Sequence, residues 1–100
     1  MRKYHVEVYD SAFLALQEIL FFKIEKSQVT SGAIAFRDEI LEAIKNLERL
    51  PHSGKILNDT YRAKVVSGHW LVYEIDEKQS VIFVSDVIDP QQFSKTGKYL

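Results

Sequence analysis

The run YRAKVVSGHWLVYEID, Tyr61 to Asp76, decides how the chain folds. Its side chains alternate on either side of Ser67-Gly68. In the first arm Tyr61, Ala63 and Val65 oppose Arg62, Lys64 and Val66; in the second Leu71, Tyr73 and Ile75 oppose Trp70, Val72 and Glu74. A period of two marks a strand whose two faces meet different surroundings. Ser67-Gly68 sits where a two-residue hairpin turn needs positive φ, which glycine adopts without steric cost. The stretch therefore predicts an antiparallel pair over Tyr61–Val66 and His69–Ile75. It also puts three cationic or titratable side chains, Arg62, Lys64 and His69, on one hairpin.

Downstream, Ser80 to Val87 is nearly all apolar, the pattern of a strand covered on both faces. Asp76 to Gln79 joins it to the hairpin as a second turn. Upstream, Pro51 to Asp59 contains Gly54, Asn58 and Asp59 and reads as a loop. A helix precedes that loop, with Ala33, Phe36, Ile40, Ile44 and Leu47 as its buried stripe and Leu41 and Leu50 widening it. It should end near Leu50, because Pro51 disfavours helical geometry in the residue before it. Lys26 to Gly32 is a polar turn. Before it, Ser11 to Glu25 reads as an amphipathic helix with Phe13, Leu16, Leu20 and Ile24 inward, capped by the side-chain oxygens of Asp10-Ser11. Lys3 to Tyr9 alternates as a strand, with Tyr4, Val6 and Val8 sharing a face. The order β-α-α-β-β-β predicts one α+β domain over residues 1–100, a helix hairpin packed on one face of a small, mostly antiparallel sheet. The tail, Gln91 to Leu100, carries Lys95 and Lys98 without an acid and reads as a flexible basic arm.

Composition narrows the chemistry. The chain of 100 residues has no cysteine, so disulfides, thiolate metal sites and a cysteine nucleophile are excluded. A formal net charge of −1 counts against indiscriminate nucleic-acid binding, where phosphate neutralisation dominates affinity. The N-terminus is polar and alternating rather than a leader, and the apolar cluster Ile19–Phe22 is too short to span a bilayer. These features lead us to expect a cytoplasmic protein without membrane contact. His5, His52 and His69 lack close ligand spacing, so no metal is expected, nor any cofactor. His5 and His52 read as exposed, and Glu74, Asp76 and Glu77 as solvated turn acids.

Three segments in this order, YHVEVYDSAFLALQEI, AIKNLERLPHSGK and YRAKVVSGHWLVYEIDEKQSVIFVSDVID, resemble the RelE/ParE superfamily of bacterial toxins from type II toxin–antitoxin modules. The resemblance spans nearly the whole chain. It implies a growth-inhibiting toxin neutralised by a cognate antitoxin protein, as a homodimer or a toxin–antitoxin hetero-oligomer. Its ribonuclease members, similar to RelE, cut messenger RNA on the ribosome without a metal; its ParE-like members inhibit DNA gyrase.

The ribonuclease reaction needs a base for the 2′-hydroxyl, a cation for the phosphorane and a proton for the leaving oxygen. By the resemblance, Arg62 matches the family arginine, and Lys55 falls where RelE-like members often place a lysine. Lys64 lies on the same strand face as Arg62. Many ribonuclease members carry an arginine just ahead of V-Y-E, where this chain has His69, Trp70 and Leu71, and a histidine or arginine after the last strand. Here that region reads Asp86-Val87-Ile88-Asp89-Pro90, acidic and apolar. Tyr99 offers a terminal aromatic. The catalytic set Arg62, Lys64 and Lys55 is thus incomplete, which favours a ParE-like gyrase inhibitor over a ribonuclease. A binding module that kept the fold without toxicity is the third reading. For partner contact the expected residues are Arg62, Lys64, His69, Trp70, Lys95 and Lys98. Trp70 is either an exposed anchor or a core residue, and His69 either an acid–base group or merely exposed beside its turn.

Overall fold

The computed structural model describes residues 3–27 and 30–99. Among them the elements are β1 (His5–Val8), α1 (Asp10–Ser27), α2 (Ser31–Asn46), β2 (Lys55–Ile56), β3 (Tyr61–Val66), β4 (His69–Asp76), β5 (Val81–Ile88) and α3 (Pro90–Thr96). The strands form one sheet in the order β1-β5-β4-β3-β2. Its pairs are antiparallel except β1 with β5. The expected hairpin is present: Val66 faces His69, and the turn residues Ser67 and Gly68 hold φ of 50° and 76°. Positive φ at both positions matches the right-handed twist of the flanking strands.

The sheet separates two apolar clusters. On one face Leu71, Tyr73, Ile82, Val84 and Val87 pack against Ala12 and Leu16 of α1 and Phe36, Ile40 and Ala43 of α2. On the other, Ala63 and Val72 pack beneath Tyr99, with Tyr61, Trp70, Ile88 and Phe93 around them. A bulge lets β5 serve both. Val72 pairs with Asp86 but Tyr73 with Val84, so Ser85 is the extra residue. Ile82 and Val84 share the helix face by parity; the bulge returns Val87 to it and turns Asp86 away. Ser85 is held there by Oγ donating to the Val72 carbonyl, while its own carbonyl accepts from Ser11 Oγ at 2.9 Å.

Several expectations need correction. The loop before the hairpin contains the short strand β2, where Lys55 faces Ala63 and Ile56 faces Arg62. The tail is not a flexible arm over its described part. Asp89 accepts from the Gln91 amide at 2.8 Å, Pro90 begins α3, and Gly97 ends it with φ 62°. Tyr99 beyond it is buried. Regular α2 stops at Asn46, although Leu50 N still donates to Asn46 O. Leu41 and Leu50 are exposed rather than part of the stripe. On α1 the buried residues are Ala12 and Leu16, whereas Phe13 and Ile24 are exposed. Apolar side chains lie all round α1, so helical spacing alone could not say which stripe meets the sheet. Of the polar turn Lys26 to Gly32, residues 28–29 lie outside the described residues.

Candidate functional site

The loop between α2 and β3 is fixed from below. The Tyr73 hydroxyl, fully buried, donates to the Pro51 carbonyl at 2.8 Å and accepts from the Gly54 amide at 2.8 Å. Burial pushes the Tyr73 phenol above its ordinary pKa. Arg62 Nη1 donates to the carbonyls of Gly54 at 3.0 Å and His52 at 3.4 Å. Arg62 therefore braces the loop as well as facing outward beside it.

Beside Arg62 lies a cavity of about 300 Å³, lined by His52, Ile56, Asp59, Tyr61, Ile75 and Glu77 among others. His52 Nε2 sits 2.9 Å from Glu77 Oε1, and the Tyr4 hydroxyl donates to Glu77 Oε2 at 3.2 Å. A histidine held by a carboxylate, with a guanidinium in the same cavity, is a group able to move a proton next to an anion-binding donor. The sequence reading took His52 as exposed and Glu77 as a solvated turn acid and did not pair them, because they are 25 residues apart and no local spacing links them.

The expected site residues divide between the two faces of the sheet. Arg62 and Lys64 pair with Tyr73 and Leu71 and so share the helix face. His69 joins them there, its ring 4.8 Å from that of Phe36. Lys55 pairs with Ala63, which assigns it by register to the opposite face from Arg62. Trp70 is on that opposite face too, stacked on Phe93 at 5.3 Å. Lys95 and Lys98 lie on the C-terminal segment that covers the same face, and both are exposed. Tyr99 is committed: its hydroxyl donates to Asp86 Oδ2 at 2.8 Å. Burial first, then the hydrogen bond and charge of Asp86, raise the Tyr99 pKa far above the usual tyrosine range. Among the described residues no cluster of three potential metal ligands occurs, and no helix is long and apolar enough to cross a membrane.

The model of a family described as the ParE toxin of type II toxin–antitoxin system, parDE, matches residues 10–92. Comparison with curated proteins finds no match. Among solved structures, a chain of the RelBE2 toxin–antitoxin complex from Mycobacterium tuberculosis aligns with a TM-score of 0.64 at 18% identity, over 87% of this chain and 98% of that one. A chain of the chromosomal ParDE toxin–antitoxin system from P. aeruginosa aligns with a TM-score of 0.73 at 11% identity, over 89% and 98%. At these identities the likeness is one of fold.

Proposed function

From the premise that the chain belongs to the ParE toxin family of type II toxin–antitoxin systems, we propose that it arrests bacterial growth in the cytoplasm by inhibiting DNA gyrase, and that a cognate antitoxin neutralises it. The supporting observation is the scatter of the ribonucleolytic set. Lys55 is turned by register away from Arg62 and Lys64. Arg62 uses Nη1 on the carbonyls of its own loop. Tyr99 is buried and bonded to Asp86. Phosphorane stabilisation needs its donors converging on one point.

Two measurements test this reading. Induction of the chain alone should arrest growth, filament the cells and raise the DNA-damage response. Purified protein should inhibit gyrase supercoiling. Normal growth with soluble protein would refute the toxin, and uninhibited supercoiling would refute the target.

One observation favours a second reading, a metal-free endoribonuclease acting on ribosome-bound messenger RNA. His52, Glu77 and Arg62 do share one cavity. On that reading, primer extension after induction shows new ends inside reading frames, and His52→Ala abolishes them. Intact messages with arrested growth leave gyrase as the target.

A further inference from the structure

At about 100° per residue, Phe13, Leu14, Gln17, Phe21 and Ile24 of α1 fall within a single arc of about 100°. The arc is turned away from Ala12 and Leu16, which meet the sheet, and all five residues are exposed. Its apolar members Phe13, Leu14, Phe21 and Ile24 are open by 49%, 59%, 72% and 40%. On the neighbouring α2, Ile34 and Leu41 share a face and are 47% and 45% exposed. Leu41 and Phe13 line one recess, which joins the apolar residues of the two helices into a continuous patch. Taken at about 200 Å² per large apolar side chain, the six leave on the order of 600 Å² open. A monomer's largest apolar patch usually covers about 300–600 Å². A standard interface takes about 800 Å² from each partner. Phe22 lies off the patch, on the flank of α1 that faces a wide groove of about 970 Å³ with Glu18, Lys23 and Lys26.

The charges limit what covers this face. Between Ile34 and Leu41 on α2, Arg37 and Asp38 pair with each other at 3.1 Å. The patch therefore draws neither a cationic nor an anionic partner, and does not repel its own copy. It also holds a socket. The recess beside Phe13 and Leu41 has a volume of about 50 Å³ and only apolar walls, with Ala12, Leu16, Val84 and Val87 behind them. Of its lining residues only Phe13 and Leu41 are exposed, so its mouth lies within the patch.

A two-fold axis through Gln17 makes the surface complementary to itself. With two α1 helices antiparallel about that axis, Phe21 of each copy opposes Phe13 of the other, at the mouth of the recess. The two Gln17 amides meet at the axis, and each can both donate and accept. Glu25, on the rim, opposes Tyr9, a hydroxyl donor, rather than a second acid. Like charges are thereby kept apart in the register that the apolar residues prefer.

We infer that this face joins two copies of the chain as an isologous dimer, α1 against α1, with Gln17 on the axis and Phe21 of each copy at the recess of the other. The inference stands apart from the gyrase and antitoxin readings, because it concerns the chain alone.

Sedimentation of the purified chain over a concentration series should show a monomer–dimer equilibrium. Phe21→Ser should weaken the dimer by at least about tenfold. Phe22→Ser removes the same side chain from the groove flank and should leave the dimer unchanged. The chain has no cysteine, so Gln17→Cys carries a single thiol. A short bis-maleimide should link that variant into dimers, and should not link Lys78→Cys, on the distant β4–β5 turn. A wild-type chain that stays monomeric up to its solubility limit overturns the inference. Equal loss with Phe21→Ser and Phe22→Ser, or linking at Lys78→Cys as readily as at Gln17→Cys, marks unspecific association and overturns it too. A monomeric chain whose Phe21→Ser variant no longer binds the antitoxin assigns the face to that partner, with the same result for the dimer. Thermal midpoints close to wild type confirm that the variants fold, and the Gln17→Cys arm leaves the apolar patch intact.

Discussion

Tyr73 shows how one hydroxyl can hold a loop. Its two hydrogen bonds, to Pro51 and Gly54, are buried, so Tyr73→Phe leaves a carbonyl and an amide without a partner. Such a loss costs about 1–3 kcal/mol and should appear as a lower midpoint in urea. Gly54 is the other half of the contact. A Cβ there would stand 2.5 Å from the Tyr73 hydroxyl and 3.0 Å from the Ala63 carbonyl. Gly54→Ala should therefore destabilise by about 1–3 kcal/mol through overpacking, with Tyr73→Phe relieving part of it in the double variant. Tyr99 supplies a pH test. Its folded-state pKa is raised, so the neutral phenol is the form the fold prefers. An unfolded tyrosine titrates near pH ~10. The stabilisation is complete below that value and is lost as pH rises above it. Denaturation between pH ~9 and ~11 should show wild-type stability falling, and Tyr99→Phe should fall less steeply. At this scale the alternation of Tyr61–Asp76 placed Arg62 and Lys64 on one face correctly. It could not show that Arg62 would bond to carbonyls eight and ten residues earlier.

Elements were legible where one period ruled the run. β3 and β4 alternate cleanly, and the ends that alternation predicts lie within a residue of those observed. β2 was hidden because two residues cannot display a period. α3 was hidden because Phe93 is the one side chain of its seven residues that packs on the sheet, so no apolar stripe betrays it. Its signal was at the ends instead, Asp89-Pro90 before it and Gly97 after it. A helix so short depends on its cap. Asp89→Ala should cost about 1 kcal/mol, seen as faster amide exchange across Gln91–Thr96 with little change in the helix hairpin. α1 illustrates the opposite failure. A strong helical period was present, yet more than one face satisfied it, and only the sheet's position selected Ala12 and Leu16. Phe21 and Phe22 are left outside the core, and Phe22 lines the wide groove at the end of α1.

For the molecule as a whole, the sheet divides the work. The helix face carries the larger core, and the opposite face is closed mainly by the C-terminal segment after β5. Removing residues 91–100 should therefore uncover Ala63 and Val72 and lower the thermal midpoint, while the helix-side core still folds. Dye binding to newly exposed apolar surface would report the first effect, and retained far-ultraviolet helix signal the second. The overall order of elements was readable because it depends on local patterns. The bulge at Ser85 was not, since an extra residue in one strand is defined only against its neighbour. Trp70 is the sole tryptophan of the chain. It lies on the C-terminal face, stacked on Phe93 of α3. Its emission is therefore a native optical probe of that face alone: lifting the C-terminal segment changes the indole's surroundings even while the helices stay in place.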